Sequence, residues 1–163
     1  LRAFRRATIL GPLMASHRHE LKDEAVGEIE AGLALTSADI ARAMLEHGQL
    51  LERMRNFQEQ YEFILCTVSQ LPPFDATLAW PRTIDGVTMV HYVEWMKSAY
   101  WISATCRPAI SVPAGFTPEG LPVGLQIVGR HRADLNVLQL AYAFEQVTQC
   151  ALTARPAFGR SGH

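Results

Sequence analysis

The sequence predicts an α/β protein in which helices cover both faces of a sheet. Two short apolar runs, at residues 109–112 and 123–128, are bounded by Pro and Gly in the way that buried strands are. Amphipathic helical spacing stands before and after them, most clearly from Ser37 and from Asp134. Only three strands are predicted, which is a thin sheet for one domain, so we expect part of a larger α/β sandwich.

Composition excludes several classes of function. The 163 residues are one domain's worth of chain and carry a formal net charge of −1, which predicts no binding of nucleic acid or of a membrane surface. No apolar run reaches the length of a membrane span. Cys66, Cys106 and Cys150 are few and widely spaced, which favours a reducing compartment over a disulfide framework, so we expect a cytoplasmic location.

Residues 1–62 are predicted to be mainly helical. Gly11-Pro12 interrupts a first helix, and a charged helix is expected over residues 17–31. The run Thr36-Ser37-Ala38-Asp39 is a capping signal that opens a long helix. Its predicted buried stripe consists of Ile40, Met44, Leu51, Met54 and Tyr61, widened by Ala41, Leu50 and Phe57. The Arg-rich start without Met suggests a surface helix and a chain that begins partway through a larger one.

Residues 63–150 are predicted to run strand, helix, strand, strand, helix. The first strand covers residues 63–68, an irregular loop residues 75–87, and an aromatic helix residues 89–105. The last helix begins at Asp134, and its apolar face is expected to comprise Val137, Leu140, Ala141, Phe144 and Val147. Residues 151–163 are expected to form a tail that packs at most through Phe158. We treat the 163 residues as a single partial domain.

The two late strands carry a motif of unusual density. Residues 108–115, PAISVPAG, are followed by residues 120–126, GLPVGLQ. This block resembles the C-terminal signature of the amidase signature family, and the similarity extends over about residues 10–148. The resemblance implies a fold with one large mixed sheet between helical layers. The chain would then be the C-terminal part of an α/β/α sandwich with a mixed sheet and helices on both faces.

The resemblance also implies the chemistry of the parent enzymes, which hydrolyse amides with a nucleophilic Ser, a second Ser and a Lys base. This sequence has no Ser-Ser dipeptide, and its only lysines are Lys22 and Lys97. Lys22 stands beside two acidic residues on a charged helix and is expected to be exposed. Lys97 neighbours Ser98, but adjacent helical side chains diverge. We therefore predict no catalytic residue in this chain.

Other candidate sites are weaker. Ser111 is expected to be a strand residue, and Cys106, beside Arg107, could be a reactive thiol. The family usually has Gly at this corner, so a corner that needs positive φ would strain Cys106. His17 and His19 are two apart and do not face one another on a helix. The other histidines are isolated in sequence, namely His47, His91, His131 and His163, so we expect no metal. The glycines of the motif region match no phosphate-binding loop, namely Gly115, Gly120, Gly124 and Gly129, so we expect no cofactor.

The contribution that remains for this chain is shape. The family's C-terminal portion helps to wall the substrate pocket, which makes Trp80, Trp95, Trp101 and Gln126 candidate lining residues. The leading hypothesis is an inactive-alone fragment of an amidase that meets its small-molecule amide substrate through the complete parent enzyme. Two alternatives stay open: the amidase-like subunit of a tRNA-dependent amidotransferase, and a non-catalytic interaction module. A truncated sheet also predicts self-association.

Overall fold

The computed structural model describes residues 1–153, which form two compact units, one of Leu1–Arg53 and one that begins at Met54. The predicted tail lies outside the described residues from residue 154 onward, and so does the expected packing of Phe158. Whether the chain is one partial domain stays a prediction.

The first unit is built on two closely packed helices, α1 (Arg2–Leu10) and α2 (Asp23–Leu33). They approach closely at Gly32, where an added Cβ would lie 2.1 Å from the main-chain oxygen of Ala3. The charged helix begins at Asp23, so the expected start at residue 17 is wrong. Short 3-10 turns at Gly11–Ala15 and Arg18–Glu20 occupy the intervening chain because Gly11-Pro12 interrupts the regular helix.

The long helix α3 (Ser37–Gln60) begins where the capping signal predicts. Thr36 and Asp39 hydrogen-bond reciprocally: the Asp39 N–H donates to Thr36 Oγ1 at 3.2 Å, and the Thr36 N–H donates to Asp39 Oδ2 at 3.1 Å. The predicted buried stripe is wrong in part, since Met44 is 63% exposed and Tyr61 54%. Helical spacing tells which side chains share a face, not whether that face is covered.

The second unit contains a three-stranded sheet in the order β1-β5-β4, with β1 at Ile64–Thr67, β4 at Ala109–Phe116 and β5 at Pro122–Val128. The three predicted strands are confirmed, and with the helices they give the α/β class. Both strand pairs are antiparallel. No parallel pair, which a mixed sheet requires, lies within residues 1–153.

A small hairpin interrupts the segment predicted to be an irregular loop. Strands β2 (Thr83–Ile84) and β3 (Val87–Thr88) pair around Asp85 and Gly86, which have φ of 48° and 75°. A tight two-residue turn of this kind needs positive φ at both positions, and Asp-Gly is the dipeptide that tolerates it. The signal was in the sequence, and the flanking Pro and Thr obscured it.

The aromatic helix is shorter than predicted. A 3-10 turn at Tyr92–Met96 leads into α4 (Lys97–Ala104), so the expected start at residue 89 is wrong. Glu94 caps this turn, and the Val90 N–H, followed by the His91 N–H, holds the pKa of its carboxyl below the usual 4.5.

One face of the sheet forms the core with α5 (Asp134–Thr148). Val112 and Ile127 pack there with Val137 and Ala141 from the helix, and all four are buried. The expected burial of Val147 is wrong, since it is 86% exposed. A short helix, α6 (Cys150–Thr153), follows.

Candidate functional site

The face of the sheet opposite the core borders an apolar groove of about 490 Å³, which lies entirely within the second unit. Its walls come from the segment after β1, from the aromatic turn and from strands β4 and β5. The lining residues are Thr67, Val68, Ser69, Gln70, Leu71, Pro72, Pro73, Phe74, Trp95, Ser111, Pro122, Val123 and Gly124. The groove thus lies against the signature motif.

Trp95 is the largest side chain in the groove, and two aromatic neighbours fix its position. Its ring meets Phe74 edge-on at 5.5 Å between centroids and Tyr92 at 6.2 Å. Its indole Nε1 is buried and has no hydrogen-bond partner in the described structure. A rigid aromatic wall with few polar groups is suited to apolar parts of a ligand.

Two hydrogen bonds join the segment after β1 to the aromatic turn and helix. Gln70 Nε2 donates to the Glu94 main-chain oxygen at 2.7 Å, and Ser98 Oγ donates to the Val68 main-chain oxygen at 2.9 Å. These bonds hold the segment after β1 against the aromatic turn, where the Phe74 and Trp95 rings are in contact on one side of the groove.

A glycine lets the signature strands meet closely beside the groove. An added Cβ at Gly124 would lie 3.0 Å from Ser111 Oγ and 3.0 Å from Val68 Cγ2. A larger side chain here would push against both neighbours and occupy groove volume. The sequence identified Gly124 only as part of the signature motif and as matching no phosphate loop, and its position at the floor of the groove follows from the packing.

The structure brings only one of the four predicted lining residues, Trp95, to this groove. Trp80 is 5% exposed and lies under the Arg82 guanidinium, 3.7 Å above its ring centroid. Trp101 is 59% exposed. Gln126 Oε1 accepts a hydrogen bond from Cys66 Sγ at 3.6 Å, and burial raises the pKa of that thiol. Pocket-lining roles for these residues stay predictions.

Sequence reasoning missed the Leu71-Pro72-Pro73-Phe74 wall, which was interpreted only as the end of a strand. The available signal was an aromatic residue directly after two prolines. Because proline fixes φ, such a segment presents its neighbours rigidly, as a pocket wall requires. Two prolines in a loop are too common to indicate a pocket without the fold.

At Cys106 the backbone has the positive φ that would strain any residue other than Gly. Its φ is 53°, in the left-handed region, and the residue is exposed. For a residue with a Cβ this conformation costs about 1–2 kcal/mol. His131 Nδ1 donates to the Cys106 main-chain oxygen at 3.3 Å.

Possible metal ligands are scattered in the described part of the chain. Residues 1–153 contain no group of three or more His, Cys, Asp or Glu side chains placed to hold a metal. His17 Nδ1 lies 2.6 Å from Ser16 Oγ, whereas His19 Nε2 lies 3.6 Å from Glu20 Oε1.

Among residues 1–153, every helix is too short or too polar to cross a membrane.

Comparison with known proteins gives a consistent set of similarities. A family model described as Amidase matches residues 11–138. The acylamidase of Rhodococcus erythropolis is 32% identical over 133 residues, which is 81% of this chain and 28% of that protein. One subunit of the glutamyl-tRNA(Gln) amidotransferase of Thermodesulfovibrio yellowstonii is 61% identical over 95 residues, which is 57% of this chain and 19% of that protein.

Solved structures share the fold. A bacterial aryl acylamidase of the amidase signature enzymes superposes with a TM-score of 0.80 at 24% identity, over 92% of this chain and 32% of that one. A second structure, of an amidase, gives a TM-score of 0.79 at 24% identity over 89% of this chain and 33% of that one. The chain therefore spans about a third of these structures, and 28% and 19% of the two curated relatives.

Proposed function

The chain belongs to the amidase signature family, and from this premise we propose that it is the C-terminal portion of an enzyme that hydrolyses carboxylic amides with a serine nucleophile. Its own role is to build one wall of the substrate pocket. The nucleophilic serine, the second serine and the lysine base belong to the rest of that enzyme. The observation that carries the proposal is the apolar groove beside the signature strands.

The groove is suited to the non-reacting part of an amide. Trp95 and Phe74 offer aromatic surface for an acyl or aryl group, while the Ser111 hydroxyl is the one polar side-chain group that the signature strands contribute to the described lining. Binding of such a remote part positions the scissile bond and so supports catalysis without chemistry of its own. A wall residue is expected to change KM and the choice of acyl group more than the chemical step.

The proposal includes that the chain is inactive by itself. Lys97 and Ser98 are adjacent at the start of α4, and the Ser98 hydroxyl donates its proton to the Val68 main-chain oxygen. A general base must reach the hydroxyl proton that it removes, and this proton is held elsewhere. Lys22, the other lysine, is exposed in the first unit.

A chimera tests the proposal. The segment of the Rhodococcus erythropolis acylamidase that aligns with this chain would be replaced by the chain, and hydrolysis of a chromogenic anilide would be followed. We expect turnover by the folded chimera and none by the 163-residue chain alone. In the chimera, Trp95→Ala is expected to raise KM at least several-fold, because it removes aromatic surface from the groove.

The matched control is Tyr142→Ala, which removes an aromatic side chain that is 66% exposed and does not line the groove, and it is expected to leave KM within about twofold. Equal effects of the two substitutions would refute the pocket-wall role. If the 163-residue chain hydrolysed the anilide and Ser98→Ala abolished that activity, the proposal that the isolated chain is inactive would be refuted.

A second candidate is the amidase-like subunit of a tRNA-dependent amidotransferase, favoured by the 61% identity over 95 residues to one such protein. The same chain grafted into that relative tests it. If the graft into the amidotransferase subunit supports amide transfer while the graft into the acylamidase is folded but inactive, the parent protein is an amidotransferase subunit.

Self-association of the isolated chain is also proposed, with a second copy as the partner. Strand β4 lies at an edge of the sheet, and its eight residues carry no charged side chain that would discourage pairing. Sedimentation velocity should show a concentration-dependent dimer that Ala109→Lys weakens, whereas Ala31→Lys in α2 should have no effect. A monomer at every concentration would refute this.

A further inference from the structure

A second, basic cleft lies at the open end of the β4–β5 hairpin, away from the apolar groove. It has a volume of about 380 Å³ and lies within the second unit. Arg107 precedes β4 and Arg130 follows β5, so the antiparallel pairing brings both to the same end of the hairpin. The lining residues are Arg55, Gln58, Glu59, Arg107, Arg130 and His131.

Both of these arginines are anchored by one buried residue. Gln58 is 4% exposed, and its Oε1 accepts a hydrogen bond from Arg107 Nε at 2.7 Å. Its main-chain oxygen accepts another from Arg130 Nε at 2.8 Å. Gln58 is itself fixed by its Nε2, which donates to the Gly129 main-chain oxygen at 2.8 Å.

Anchoring through Nε leaves the outer part of each guanidinium available. A guanidinium has five N–H donors, of which Nε carries one, so the four on the terminal nitrogens of each arginine remain for a ligand. The Nε bonds restrict the rotation of long side chains, so binding through the terminal nitrogens loses less conformational entropy.

The positive charges of Arg107 and Arg130 are not paired with a carboxylate in the described part of the chain. Neither Arg107 nor Arg130 forms an ion pair with any carboxylate among residues 1–153. Glu59 lines the cleft but lies beyond salt-bridge distance of both. Two like charges held at one cleft raise the free energy of the empty site, and an anion that binds there lowers it.

His131 adds an oriented ring to the rim. Its Nδ1 donates to the Cys106 main-chain oxygen at 3.3 Å, since a carbonyl oxygen can only accept. The ring is thereby held at the cleft that it lines with the arginines.

We propose that this cleft binds a small oxyanion, a carboxylate or a phosphate, through the terminal nitrogens of Arg107 and Arg130. Two adjacent oxygens on one carbon or phosphorus match the fork of a guanidinium, which is the geometry of its strong charge-assisted hydrogen bonds. The basic cleft and the apolar groove share no lining residue, so this proposal does not depend on the function proposed above.

Calorimetric titration of the 163-residue chain tests the site, with inorganic phosphate in one arm and succinate in the other, at constant ionic strength set with chloride. We expect saturable one-to-one binding in at least one arm, and the arm that binds more tightly identifies the anion class. Arg107→Gln should weaken that binding at least about tenfold, because charged hydrogen bonds are lost.

The matched control is Arg132→Gln, which makes the same change of charge at an exposed arginine that does not line the cleft. It should leave the affinity within about twofold. Circular dichroism checks the fold of each variant. If Arg107→Gln is unfolded, Arg107→Lys replaces it; Lys keeps the charge without the fork and should still weaken binding. Absence of saturation in both arms, or equal losses from Arg107→Gln and Arg132→Gln, would overturn the proposal.

Discussion

Replacing Gln58 with Met should destabilise the second unit more than any other single polar change in α3. The substitution keeps a side chain of similar volume and removes two buried interactions, with Arg107 at 2.7 Å and with the Gly129 oxygen at 2.8 Å. A neutral hydrogen bond contributes about 0.5–1.5 kcal/mol and one to a charged group about 1.5–3 kcal/mol, so the loss is roughly 2–4.5 kcal/mol. The bond from Arg130 to the Gln58 main-chain oxygen should survive.

Urea unfolding followed by tryptophan fluorescence is the appropriate assay. All three tryptophans, Trp80, Trp95 and Trp101, lie in the second unit and so report its unfolding. With a urea dependence of about 2 kcal/mol/M, the middle of the usual range, we expect the midpoint to fall by roughly 1–2 M. Gln60→Met, at an exposed position of the same helix, should change stability by less than about 0.5 kcal/mol. Equal midpoints for the two variants would refute the reasoning.

Three further substitutions are expected to shift the same unfolding transition. Gly129→Ala should cost about 1–3 kcal/mol, since its Cβ would lie 2.4 Å from Val137 Cγ2, and adding Val137→Ala should recover part of the loss; simple additivity would contradict the clash. Cys106→Gly should raise stability by about 1 kcal/mol, because φ is 53° there, and a loss would count against backbone strain. The Val90 N–H first, then the His91 N–H, lowers the pKa of the Glu94 carboxyl, so that group stabilises above its unfolded pKa and loses the effect as pH falls. As pH falls from about 5 to 3, the free energy of unfolding should therefore decrease more steeply for the wild type than for Glu94→Gln. Parallel plots of that free energy against pH would argue against this role of Glu94.

The elements that local sequence predicted well share one property. Their signals are complete within a few residues: the Thr36–Asp39 capping signal places the start of α3, and Pro and Gly mark the ends of β4 and β5. These choices depend on backbone conformation and on hydrogen bonds made locally, so no distant residue is needed to decide them.

Burial was predicted less well, for a physical reason. The stripe on α3 and the last position of the α5 face follow helical spacing, yet Met44 is 63% exposed and Val147 is 86% exposed. Periodicity fixes the direction of a side chain relative to its helix, and burial requires another element against that direction. Conversely, Gln58 belongs to a residue type that is mostly exposed in proteins, yet it is 4% exposed, and three polar groups compensate for its burial.

The sequence by itself determined the family, through a motif at residues 108–126, and the α/β class, through the spacing and punctuation of its elements. Only the tertiary structure decided which residues meet. It placed Trp95 beside Phe74 at a groove and left Trp101 exposed, and it joined Arg107 to Arg130 through Gln58 across 49 and 72 residues of chain. Contacts between residues that far apart arise from strand pairing and packing, which no local pattern encodes.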